Sequence, residues 1–269
     1  MRRLLLIALL PACGLYFPNA EDDVQPLPDA ATQPPVQPAS YELVQTKSMA
    51  GEHTVAGVDS DGAGGIWIAY CDDADYYTPK NVWVTHLDAT GAKLSEWMMN
   101  DHYEPVSGIA FAGNAVWLNY SASGTGNRWL RKLDAHTGAT LGTFSTEDGI
   151  SDIAYDAAHD QLVLSNYWNT VISLDGKTGG VVSRTTIAAT SYSTQRGVAL
   201  DRGNVWVDEA FDNKFFYVKT DGTVLATATA PALGTSTAAS NQLQLSVDES
   251  GQLIVVSNNQ IYWFSARKQ

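Results

Sequence analysis

Residues 71–81 read CDDADYYTPKN, which places a thiol, three carboxylates and two phenols within one short stretch. Such a thiol could be half of a redox pair. Asp72, Asp73 and Asp75 offer the oxygen ligands that a hard cation takes. They lack the glycine and the distal glutamate of an EF-hand loop, so their spacing specifies no calcium site on its own. Acid–base chemistry is offered elsewhere, by His53 and by His102, the latter flanked by Asp101 and Glu104. Imidazole titrates near neutrality, and an adjacent carboxylate can orient it as a general base. His53, His102 and Glu104 are therefore the catalytic candidates. His86, His136 and His159 fall on expected strands or tight turns and read as structural. The chain carries no nucleophile elbow, P-loop or dinucleotide fingerprint, and no cysteine–histidine spacing suited to zinc.

The 269-residue chain has a formal net charge of −13. That field repels phosphate backbones and argues against a nucleic-acid partner. The chain opens MRRLLLIALLPACG, in which Arg2 and Arg3 precede a short apolar run, Leu4 to Leu10. Seven helical residues span about 10 Å, against about 30 Å of hydrocarbon, so the run reads as a signal peptide over 1–12. Leu10-Pro11-Ala12-Cys13 resembles the lipobox of bacterial lipoproteins, in which the cysteine after the cut carries the lipid. The resemblance implies lipidation at Cys13 and an anchor built from several acyl chains, with Pro11 departing slightly from the commonest pattern. Cys71, the only other cysteine, then has no partner within the chain. Residues 13–40 are rich in proline, alanine and acids without an apolar period, which predicts an extended tether.

From Tyr41 the text repeats. Asn81, Asn127, Asn169, Asn213 and Asn259 each precede an apolar strand, at intervals of 46, 42, 44 and 46 residues. Upstream of each stands an apolar run: Ile66-Trp67-Ile68, Val116-Trp117-Leu118, Leu162-Val163-Leu164, Val205-Trp206-Val207 and Leu253-Ile254-Val255. Short strands at this period predict propeller blades over 41–269. In the second unit the four strands fall near 108–112, 115–120, 128–133 and 140–144. The fifth unit ends after three strands, and YELVQT at 41–46 is expected to supply its fourth, which closes the ring and removes an exposed edge. The expectation is all-β: a five-bladed, monomeric β-propeller closed by an N-terminal strand. Gly57, Gly108 and Gly197 open the inner strands, while Asp152 and Gln244 stand at equivalent positions and are expected to face the channel. The recurrent asparagines read as turn residues that tolerate left-handed backbone. Trp67, Trp117 and Trp206 read as packing between blades.

Stretches such as GIAFAGNAVWLNYSASGTGNRWLRKLDAHTG and GVALDRGNVWVDEAFDNKFFYVKTDG resemble the repeats of NHL-type, gluconolactonase-like and related bacterial propellers. The gluconolactonase-like members hold a divalent cation at the channel mouth through glutamate, asparagine and aspartate. What that implies here is a candidate set of Asp152, Asn166, Asp208, Glu209 and Asn258, which does not match the family pattern position by position. No other cofactor is implied.

The connections fall into two kinds. Those joining first to second and third to fourth strands are short and consist of turn residues. Those joining second to third strands, and blade to blade, are longer and richer, and share the other face; among the blade connections are 47–53, which holds His53, and 100–106, which holds His102. This face is expected to bind, through Asp73, Tyr76, Tyr77, Tyr103, Tyr167, Trp168, Tyr192, Arg196, Asp208 and Phe211. The functional expectation is a lipid-anchored, extracytoplasmic propeller of the bacterial envelope that binds a ligand or protein partner without catalysis. The alternative is a metal-dependent hydrolase or lyase of the gluconolactonase-like type.

Overall fold

The computed structural model describes residues 39–71, 80–102, 106–121, 128–146, 149–166, 169–188, 197–209, 213–233 and 243–268, with the side chains of 80, 100–102 and 121 excepted. The first strand, β1 (Ala39–Ala50), belongs to the last blade. Blade 1 comprises β2 (Thr54–Ser60), β3 (Ile66–Cys71), β4 (Lys80–Leu87) and β5 (Lys93–His102). Blade 2 comprises β6 (Val106–Ala112), β7 (Ala115–Ser121), β8 (Arg128–Asp134) and β9 (Thr140–Ser145). Blade 3 comprises β10 (Ile150–Asp156), β11 (Gln161–Asn166), β12 (Thr170–Asp175) and β13 (Val181–Thr186). Blade 4 comprises β14 (Val198–Asp201), β15 (Asn204–Glu209), β16 (Lys214–Val218) and β17 (Val224–Thr229). Blade 5 takes β18 (Gln244–Val247), β19 (Leu253–Ser257), β20 (Gln260–Lys268) and, antiparallel to β20, β1. The ring is the five-bladed propeller that the repeats predict.

β1 does more than close blade 5. Its first residues, Ala39 to Glu42, pair in parallel with Ala226 to Thr229 of β17, and blades 4 and 5 become one eight-stranded sheet. Both otherwise exposed edges are covered by one strand. The strand also continues to Ala50, so Lys47 to Ala50 are ladder residues and not part of the blade connection expected at 47–53. Likewise β5 runs to His102, which pairs with Lys80, although the expectation placed His102 in a loop.

Among the described residues the core forms five clusters, one at each interface between blades. Trp67 packs between blades 1 and 2, stacked on His86 and Phe111 with ring centroids 4.3 and 5.4 Å away. Trp117 packs between blades 2 and 3 beside Phe144, and Trp206 between blades 4 and 5 beside Tyr217. These fully or nearly buried rings are the interblade packing that the sequence predicts.

Three of the recurrent asparagines take left-handed backbone, Asn169, Asn213 and Asn259 at φ 55, 48 and 62°. Each turns its carbonyl toward the end of the fourth strand of its blade, accepting from the N–H of Ile187, Ala230 and Gly51 respectively. The motif therefore ties the loop end of the third strand to that of the fourth. Asn81 departs from it and lies within β4. At the opposite end, Asp88, Asp134 and Asp175 each accept from a threonine hydroxyl and from backbone N–H groups of their own turns. These bonds to the ionised form hold their carboxyls below the usual range.

Candidate functional site

Glycine, aspartate and serine on the inner strands let five backbones converge on one axis. A Cβ on Gly57 would come within 2.8 Å of the Ile109 nitrogen, and one on Gly108 within 2.9 Å of Asp152 Oδ1. Into this crowded centre two carboxylates project. Asp59 of blade 1 accepts from the Phe111 N–H of blade 2 at 2.6 Å and from the Ser246 hydroxyl of blade 5 at 2.6 Å. Asp152 of blade 3 accepts from the N–H of Val198 in blade 4 at 3.0 Å and of Leu245 in blade 5 at 2.9 Å, and from its neighbour Ile153 at 2.9 Å. Burial pushes the Asp59 carboxyl up to about 6, against the opposing pull of these hydrogen bonds. It raises Asp152 well above the usual range too, with the nearby Asp208 charge adding to the rise.

Toward the loop-bearing end the inner strands carry a set of buried polar side chains, a polar cup. Asn119 donates from Nδ2 to the Ser107 hydroxyl at 2.7 Å and to the Ile150 carbonyl of the next blade at 3.0 Å. Gln244 donates from Nε2 to the Ser151 carbonyl at 3.4 Å. The Gly197 N–H donates to Asp208 Oδ1, one residue away from the N–H that binds Asp152. Asn119 Oδ1, Ser151 Oγ and Gln244 Oε1 are buried and find no hydrogen-bond partner among the described residues. A buried acceptor in that condition costs free energy unless something donates to it.

Of the cation candidates that the resemblance implied, Asp152 and Asp208 lie close enough for the Asp208 charge to act on the Asp152 carboxyl. Asn166 is buried at the end of β11, where its Oδ1 accepts the Thr170 N–H at 3.0 Å, and Glu209 closes β15. Asn258 is exposed in the tight turn between β19 and β20, with φ 50°. Among the described residues no group of three or more histidine, cysteine, aspartate or glutamate side chains could hold a metal ion. His53 lies where the chain crosses from blade 5 to blade 1, exposed and stacked on Trp83 with centroids 4.5 Å apart. Its other ring neighbour is Tyr70, at 6.0 Å. Cys71 is buried at the end of β3, where its thiol donates toward the Val106 carbonyl at 4.0 Å. Glu104 and the binding candidates Asp73, Tyr76, Tyr77, Tyr103, Tyr167, Trp168, Tyr192, Arg196 and Phe211 lie outside the described residues, as does the side chain of His102. Ser107, Asn119 and Ser151 escape a reading by motif. Their only sequence signal is a polar residue where β6, β7 and β10 should be apolar on both faces.

Among the described residues two clefts open between blades. One of about 250 Å³ lies between blades 2 and 3 beside Arg184 and Val181. The other, of about 260 Å³, lies between blades 3 and 4 over Val163, Ser173 and Ser183.

Fold and axis together define a five-bladed β-propeller. No family model and no curated protein sequence matches the chain. Among solved structures, Myxococcus xanthus glutaminyl cyclase superposes with a TM-score of 0.67 at 12% identity, covering 87% of this chain and 100% of the other. A likeness at that identity speaks for the propeller fold alone. A chain of the mitotic checkpoint complex reaches a TM-score of 0.49 at 11% identity, over 96% of this chain and 99% of that one, too low to bear on the argument.

Proposed function

We propose that the protein is a binding scaffold of the bacterial cell envelope, lipid-anchored at Cys13 and held off the membrane by the tether over 13–40. It binds a small-molecule ligand or a protein partner at its loop-bearing end, and its axis serves the fold and not catalysis. The observation that carries this reading is the polar cup. Three buried polar oxygens without a partner among the described residues stand near the strand ends from which the connections rich in tyrosine, tryptophan and aspartate depart. The carboxylates beneath them are engaged by backbone N–H groups of neighbouring blades, which suits a rigid platform. The NHL-type and gluconolactonase-like character of the repeats belongs to this proposal, resting on the stretches that carry it. No specific contact favours the hydrolase or lyase reading.

Two variants separate the parts of the proposal. Cys13→Ser should abolish incorporation of labelled fatty acid in a bacterial host and release the chain from the membrane fraction. Unchanged labelling would overturn the anchor. Deletion of residues 73–78 should leave the melting temperature within about 2 °C of the parent, since loops contribute few buried contacts. A large fall in melting temperature would make that loop a structural element.

A further inference from the structure

The interface between blades 3 and 4 differs from the other four in one row of side chains. The row runs across each blade on the face toward its successor. In blade 1 it reads Asp59, Trp67, His86, Ser95 and in blade 2 Ala110, Trp117, Lys132, Gly142. In blade 4 it reads Ala199, Trp206, Tyr217, Ala226 and in blade 5 Ser246, Ile254, Trp263, Lys47. Each of these contains an indole. Blade 3 reads Ala154, Val163, Ser173, Ser183, and every member is small. The cleft of about 260 Å³ lies over the last three of them.

We propose that this cleft is a binding site for a small planar heteroaromatic molecule, about one bicyclic ring in size. The volume fits. An enclosed apolar cavity of about 150 Å³ is enough to admit benzene. The chemistry fits as well, because the walls divide by character. Val163, Val171 and Ile187 of blade 3 face Leu200 and Val205 of blade 4, which gives two apolar walls for the ring faces. The Ser173 and Ser183 hydroxyls and the Gln161 amide lie along the cleft and can meet a polar ring edge. The mouth carries both signs of charge, with Lys219 on one side and Asp156, paired to His159 at 2.7 Å, on the other. A mouth of mixed sign favours a neutral ring over an ion. The walls are held in place, since Thr185 of blade 3 donates its hydroxyl to the Thr220 carbonyl of blade 4 at 2.7 Å. The equivalent place in blades 1, 2 and 4 is occupied by an indole of the chain itself, stacked on His86 in blade 1 and lying under the Lys132 ammonium in blade 2, and in blade 5 the indole stands one strand further out. The cleft opens among the short turns, at the end opposite the polar cup, so the proposal stands independently of the loop-face reading.

The test uses the full chain with methyl-labelled valine, leucine and isoleucine, and indole at millimolar concentration as the probe. Intermolecular NOEs from indole should reach the methyls of Val163, Val171, Leu200 and Val205. NOEs confined to other methyls, or none at all, would overturn the proposal. Val163→Trp should place an indole where blades 1, 2 and 4 have one. It should abolish the NOEs and raise the melting temperature by about 2–4 °C, as cavity filling does in a domain of this size. If that variant folds and indole still gives the same NOEs, the site is elsewhere and the proposal fails. Should it not fold, Ser183→Leu at the outer strand serves as the second obstruction, with the same required loss.

Discussion

Asp59 and Asp152 belong to different blades, yet each reaches the backbone of strands it does not pair with. An aspartate is short enough to stay on the axis and carries two acceptor oxygens, so one side chain can satisfy N–H groups from two neighbours. Asp152→Ala removes the acceptor for the Ile153, Val198 and Leu245 N–H groups together. Orphaned buried donors cost about 1–3 kcal/mol each, so the variant should lose about 3 kcal/mol or more in urea unfolding, and a loss under about 1 kcal/mol would remove Asp152 from this role. Asp59 gives a pH signature. Its folded pKa, about 6, lies above the unfolded carboxylate value, so the stability tied to the protonated form is fully present below about pH 4. It is lost as pH rises through about 6, by an amount on the order of 3 kcal/mol. The turn aspartates act in the opposite sense, because their lowered pKa values yield stability that is lost as pH falls. Comparing parent with Asp59→Asn cancels that common part. The difference in urea midpoint between the two should change between about pH 4 and 6 and level off above about pH 7, and a flat difference across that range would mean that Asp59 stays ionised throughout.

At the scale of strands and turns, the left-handed asparagines set where third strands begin. Asn213 combines φ 48° with a carbonyl that accepts the Ala230 N–H. Asn213→Gly should be close to neutral, whereas Asn213→Val should cost about 1–2 kcal/mol because a β-branched residue strains left-handed backbone. Equal costs for the two variants would mean that the backbone there is not the constraint. This element was legible in the sequence, since an asparagine that recurs once per period, just ahead of an apolar run, marks a turn that leads into a strand. The tryptophan positions were legible through the same periodicity, as was the closing strand, which followed from a fifth unit that stops one strand short. Other features were not. The parallel pairing of Ala39 to Glu42 with β17 leaves no mark in a residue pattern, because an edge strand of either blade would read alike. The continuation of β5 through His102 was hidden by polar residues that resemble a loop. Ser107, Asn119 and Ser151 enter the polar cup through ring closure, which brings together residues from different blades that have no sequence relation. The cleft between blades 3 and 4 was half legible, since Val163 already stands where three repeats have tryptophan.

At the scale of the molecule, the two ends of the propeller differ in kind. One end is closed by turns in which aspartate, threonine and glycine bond to one another, and these leave little polar capacity for a partner. The other end bears the buried acceptors of the cup and the longer connections. The central claim, that the second end is where this protein binds, is tested most directly by photocrosslinking in the full chain in bacterial cells. A photoreactive residue is placed singly at Tyr76, Tyr103 or Trp168, which the sequence assigns to the longer connections, and at the exposed Ala89, His136 or Glu249 on the turn-bearing end, away from the cleft between blades 3 and 4. The account predicts discrete adducts, read by gel and by intact mass, from the first three positions alone. Adducts from the turn-bearing positions at equal or greater yield, or no adduct from any position, would contradict it.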